Sequence, residues 1–141
     1  MPTPLENTGF MLAKAAQHWN ELLAAAFARE GFADVRPAYG SVLVPLFGED
    51  NQRIGALTRQ ARLPKQTMTS MLVQMERDGL IERALDPADG RATIIRLAPR
   101  GRAFRPVAEG VLADLAARVA AAIPANALAT THETLKELIT L

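Results

Sequence analysis

Cysteine is absent from the 141-residue chain. Its absence excludes disulfides, thiolate zinc sites, iron–sulfur clusters and thiol-based redox sensing. Histidine is scarce too, with His18 and His132 far apart. His132-Glu133 begins like a helical zinc-protease motif, but the residue four positions after His132 is Lys136, so the second ligand is missing. No glycine pattern of the phosphate-cradling kind occurs, and no serine sits in a nucleophile elbow. The expectation is a protein that is not an enzyme and needs neither cofactor nor metal. No apolar run approaches the ~18 residues of a membrane span. The opening MPTPLENTGF lacks the basic start of a secretory signal, so a cytoplasmic location is expected. Surplus charge is also small, at a formal +1.

Apolar residues are plentiful, at 49% against 22% charged, which argues for one folded domain spanning 1–141. Thr3-Pro4-Leu5-Glu6 has the form of a capping box and predicts a long helix running to Gly31. Its stripe of Leu5, Leu12, Ala15, Trp19, Leu22, Leu23, Ala26 and Phe27 is too long for one small core. The Ala-rich half lets a second helix approach closely, as at a subunit interface. A second helix is expected over Pro37 to Phe47, bent or shortened by Pro45, and GEDNQ (48–52) reads as a loop.

Residues 55–61 leave room only for a short helix, interrupted at Arg62-Leu63 and followed by a longer one from Pro64 to Gly79. In that helix Met68, Met71, Leu72 and Met75 share an inward face, and Gln66, Thr69, Ser70, Gln74 and Arg77 lie opposite. A short helix, a tight turn and a longer helix with a polar outer face make a helix-turn-helix candidate. Strands are expected at 81–85 and 93–97, joined by DPADGRA, a connection longer than a tight hairpin needs and carrying Arg91 just past its glycine. Pro99 starts another helix, Pro124 ends it, and a last amphipathic segment uses Leu128, Leu135, Leu138 and Ile139.

The near-neutral total conceals a division. Residues 53–105 hold eleven basic side chains against five acidic, a net of +6, which leaves −5 for the rest. A basic centre on a helix-turn-helix and an arginine-bearing loop is the electrostatic footprint of a duplex-DNA binder.

Residues 53–102, RIGALTRQARLPKQTMTSMLVQMERDGLIERALDPADGRATIIRLAPRGR, resemble the MarR (multiple antibiotic resistance regulator) family. The most specific pieces are MERDGLIER and the DPADGR wing followed by IIRLAPRG. The resemblance implies a mainly α fold with a small β-hairpin wing, in which a winged helix-turn-helix core (36–100) is flanked by dimerisation helices (4–30 and 101–141). It also implies a homodimer on double-stranded DNA, with recognition helices in major grooves ~34 Å apart. Lys65, Gln66, Thr69, Ser70 and Gln74 are then the base- or backbone-facing candidates, and Arg91 enters the minor groove. Asp89 supports the wing by holding the Arg91 guanidinium, and Arg53, Arg62 and Arg77 are candidate phosphate contacts. Ser70 stands where many relatives carry arginine.

Relatives commonly sense small aromatic compounds in a pocket between the dimer helices and the winged domain. His18, Trp19, Tyr39 and Leu43 are the local candidates for such an effector site. The resulting expectation is a ligand-responsive repressor on a pseudo-palindromic operator. The alternative is a winged-helix protein-interaction module without specific DNA binding.

Overall fold

A computed structural model describes residues 3–141. The Thr3–Glu6 box forms, with the Glu6 carboxylate accepting from the Thr3 N–H at 3.0 Å, but it caps only a single 3-10 turn over Pro4–Glu6. The long helix α1 (Thr8–Arg29) is started instead by Asn7, whose side-chain oxygen accepts from the Gly9 and Phe10 N–H groups. It ends at Gly31, whose φ of +89° lets the Phe32 N–H turn back to the Phe27 carbonyl.

A 3-10 turn at Pro37–Tyr39 leads into α2 (Gly40–Gly48), which passes through Pro45 and stays short. Its end is closed by Gln52, whose amide donates to the carbonyls of Pro45 and Glu49. The segment read as a loop contains a strand residue: β1 (Gln52–Arg53) pairs antiparallel with β3. Then come α3 (Ile54–Ala61), α4 (Lys65–Arg77), β2 (Ile81–Asp86) and β3 (Asp89–Leu97), in a sheet of order β1-β3-β2.

Strand β3 is central, and its Ile94, Ile95 and Leu97 are buried with Ile81 of β2. At ~1.5–3 kcal/mol for each large apolar side chain removed from water, this cluster and the α2–α4 residues Val42, Leu43, Leu46, Leu57, Met68, Leu72 and Met75 form the core under the helix-turn-helix. Met71, expected on the inward face, is only half-buried. It sits at the edge of that face, where the helix turns away from the core.

Helix α5 (Pro99–Ala122) begins at Pro99, and α6 (Ala125–Ile139) follows the break at Pro124. Near the start of α5, Phe104 takes the rings of Phe27 and Phe32 edge-on at 4.9 and 5.0 Å. Helix α6 buries none of its residues, and α1 buries only Leu23 and Phe27. The chain divides into two compact units, Met1–Val107 and Ala108–Leu141. Among the described residues no single helix is long and apolar enough to cross a membrane.

Candidate nucleic-acid interface

The turn between α3 and α4 is set by backbone chemistry. Arg62 adopts the left-handed conformation at φ 55°, and its N–H closes on the Thr58 carbonyl. Pro64 then confines Leu63 to extended backbone and opens α4, accepting at its carbonyl from the Met68 N–H. With Met68, Leu72 and Met75 anchored in the core, the other face of α4 is fixed outward. Lys65, Gln66, Thr69, Ser70 and Arg77 are all exposed, and Gln74 is half-buried. The Thr69 hydroxyl donates to the Lys65 carbonyl at 2.9 Å, so what it offers outward is its acceptor lone pairs.

The C-terminal end of α4 is held by Gly79, where the sequence ends the helix, and by Asp34, Asp78 and Arg100, which the sequence pattern did not single out. Gly79, at φ +76°, lets the Leu80 N–H reach back to the Met75 carbonyl. Asp78 caps the helix, and its carboxylate accepts from the Gln74 amide at 3.1 Å. The Tyr39 hydroxyl also faces Asp78. Burial above all, then the negative charge of Asp78, holds the Tyr39 phenol above its ordinary pKa. Arg100 donates to the Asp78 carbonyl at 3.1 Å and makes a two-pronged pair with Asp34 at 2.6 and 2.7 Å, its guanidinium lying over the Phe32 ring. Hydrogen bonding from Arg100 lowers the Asp34 carboxyl below its ordinary pKa. The sequence did contain a signal for Asp78: an acidic residue at a helix C-terminus opposes the helix dipole unless something holds it.

The wing is tighter than expected. Pairing continues to Asp86↔Asp89 across a two-residue turn at Pro87-Ala88, so the connection is a short hairpin and not an open loop. A register break then follows. Leu85 pairs with Thr93, which leaves Gly90, Arg91 and Ala92 bulged from β3 and the Arg91 side chain in solvent. Asp89 does hold Arg91, but by the backbone N–H, at 3.1 Å, rather than by the guanidinium for which it was expected. Asp86 is the anchor of the wing. It accepts from the Ala88 N–H at 2.9 Å and from Arg53 Nε at 3.0 Å, and these bonds, that to Ala88 foremost, lower its pKa. Arg53, expected to meet phosphate, is thereby tied across the sheet to Asp86.

The four residues expected to line an effector pocket differ in exposure. His18 is exposed and lies 3.7 Å from Glu21, and Trp19 is 36% exposed on α1. Tyr39 and Leu43 are buried, at 3% and 1% exposure. Tyr39 does line an open cleft of about 320 Å³, but its other walls include Arg36, Ser70, Met71 and Gln74, and none of the other three.

The MarR family model matches residues 38–93. No curated protein matches the chain significantly by sequence. Among solved structures, the chain is similar to a probable transcriptional regulator from Pseudomonas aeruginosa, at 25% identity and TM-score 0.81, covering 94% of this chain and 97% of that one. It is similar to the PcaV regulator from Streptomyces coelicolor in complex with its natural ligand, at 18% identity and TM-score 0.81, covering 99% and 97%. It also resembles a mutant MarR from E. coli complexed with operator DNA, at 22% identity and TM-score 0.80, covering 96% and 93%. That family consists of transcription regulators, not enzymes. The family model thus matches the helix-turn-helix and most of its wing, and the chain shares the winged helix-turn-helix fold of these transcription regulators.

Proposed function

We propose that the protein is a homodimeric repressor that binds a two-fold operator and is released by a small aromatic ligand. One observation carries the DNA half of this reading. Helix α4 sinks Met68, Leu72 and Met75 into the core and leaves Lys65, Gln66, Thr69 and Ser70 in solvent, with Arg91 exposed on the adjoining wing. Gln pairs bidentately with adenine, Ser and Thr serve bases or phosphates, and arginine suits a narrow minor groove. Arg62 and Arg77 flank this face as phosphate contacts, and Arg53 joins them only by sharing itself with Asp86.

Dimerisation is supported by the apolar side chains that α1 and α6 leave uncovered. Phe10, Met11 and Leu12 on α1 and Ile139 on α6 are large and exposed, and a second copy removes such surface from water. The proposed domain plan keeps 36–100 as the DNA-binding core and 4–30 and 101–141 as the dimerisation segments. Ligand release is supported by the PcaV complex with its natural ligand. A cytoplasmic location belongs to the same proposal, since a repressor of this kind acts where genomic DNA is.

Selection of binders from a library of randomised 24-base-pair duplexes tests the reading. An inverted repeat with half-sites about one helical turn apart is expected, and Arg91→Ala is expected to weaken binding to it by ~1–3 kcal/mol at matched salt. No enriched motif, or enrichment of a single half-site only, overturns the dimeric operator reading.

A further inference from the structure

Gln74 lies one turn before the end of α4 and, among Lys65, Gln66, Thr69, Ser70 and Gln74, is the one with its side chain tied to a neighbouring side chain. Its partner is the Asp78 carboxylate, four residues on. An ionised carboxylate has no proton to give, so it accepts only from the amide NH2 and repels the amide carbonyl. Asp78 is itself held from two other elements. Arg100, in the first turn of α5, donates to its carbonyl, and the Tyr39 hydroxyl faces its side chain from the turn before α2. The flip of the Gln74 amide is therefore decided before any DNA arrives.

We propose that Asp78 is a positioning residue for base readout, fixing which end of the Gln74 amide is acceptor and which is donor toward the major groove. This rests on the reading of α4 as the recognition helix. With one N–H engaged by Asp78, Gln74 keeps its carbonyl oxygen and its second N–H, the acceptor–donor pair that adenine N6 and N7 require in one fixed order. Thymine presents its O4 acceptor where adenine presents N6, and a methyl where adenine presents N7, so the fixed carbonyl faces another acceptor. An amide free to turn accommodates both bases, because exchanging its ends brings the NH2 onto the thymine O4. The carboxylate thus adds discrimination without touching DNA, by removing one of two side-chain states.

The test is selection from the same randomised duplex library by full-length wild type, Gln74→Ala, Asp78→Asn and Asp78→Glu, with a thermal melt of each. Gln74→Ala identifies the base pair that Gln74 reads, since its preference collapses there alone. Wild type is expected to favour adenine over thymine at that position by roughly tenfold. Asp78→Asn is isosteric and meets the amide with either end, so the preference should fall below about twofold while the rest of the motif is retained. Asp78→Glu, which keeps the charge, should restore a preference for adenine. If Asp78→Asn keeps the full preference, or lowers every position equally, or if Gln74→Ala changes no position, the proposal is overturned. If wild type enriches no motif, the recognition-helix reading itself has failed, an outcome distinct from the others.

Discussion

At the residue scale, Gly101 is the most tightly enclosed glycine among the described residues. A Cβ built on it would stand 2.1 Å from the Leu80 carbonyl oxygen, and that oxygen cannot retreat because it accepts from the Ala98 N–H at 3.0 Å. The close approach of the α5 start to the strand after α4 therefore depends on a missing side chain. Gly101→Ala is expected to destabilise the protein by ~1–3 kcal/mol, seen as a lower midpoint in urea with an unchanged slope. A variant with the wild-type midpoint would show that the two backbones separate at no cost. The sequence did hint at this, because glycine within the first turns of a helix is unfavourable without a packing reason. Gly31 and Gly79 were legible for a different reason, since each follows a periodic apolar stretch and ends it at positive φ.

At the scale of elements, the helices could be read because their apolar spacing is repeated over several turns. The outward face of α4 followed directly from the burial of Met68, Leu72 and Met75. Strand β1 could not be read. Gln52-Arg53 has no β-branched or apolar signal, and its pairing is imposed by β3. The wing was misjudged because Pro, Asp and Gly signal turns, whereas only Pro87-Ala88 turns and Gly90 to Ala92 bulge.

The junction between α1 and α5 was equally hidden, because Asp34 and Arg100 are 66 residues apart and meet only in the fold. That pair makes a pH prediction. Arg100 depresses the Asp34 pKa in the folded state, so its stabilisation is present above the unfolded value near 3.8 and is lost as pH falls through the lower folded value. Both partners are partly exposed, which limits the effect to about 1 kcal/mol. Unfolding free energy measured in urea between pH 6 and pH 3 should therefore fall less steeply for Asp34→Asn than for wild type. Identical slopes would mean that the pair contributes nothing.

At the scale of the molecule, the division of charge becomes a statement about which charges are available. Within the basic block, Glu76, Glu82 and Asp86 are each occupied by an arginine of that block, Arg83, Arg96 and Arg53 respectively. Asp78 and Asp89 accept from Gln74 and from the Arg91 backbone. These contacts put five acidic groups to structural use. Among the described residues Arg59, Lys65, Arg77 and Arg91 form no ion pair, and all four are exposed on the helix-turn-helix and wing. If Arg91 enters the minor groove and the other three meet phosphates, a dimer neutralises about six phosphates. Counterion release then sets a slope of about −5 in log K against log salt, roughly a thousandfold loss between 50 and 200 mM. Fluorescence anisotropy on the selected duplex measures it directly. Lys65→Ala should flatten the slope by about 2, one contact from each protomer, while leaving the base preference of the operator in place. A wild-type slope shallower than about −1 would mean that the exposed cations of α3 and α4 do not face DNA, whatever the affinity at low salt.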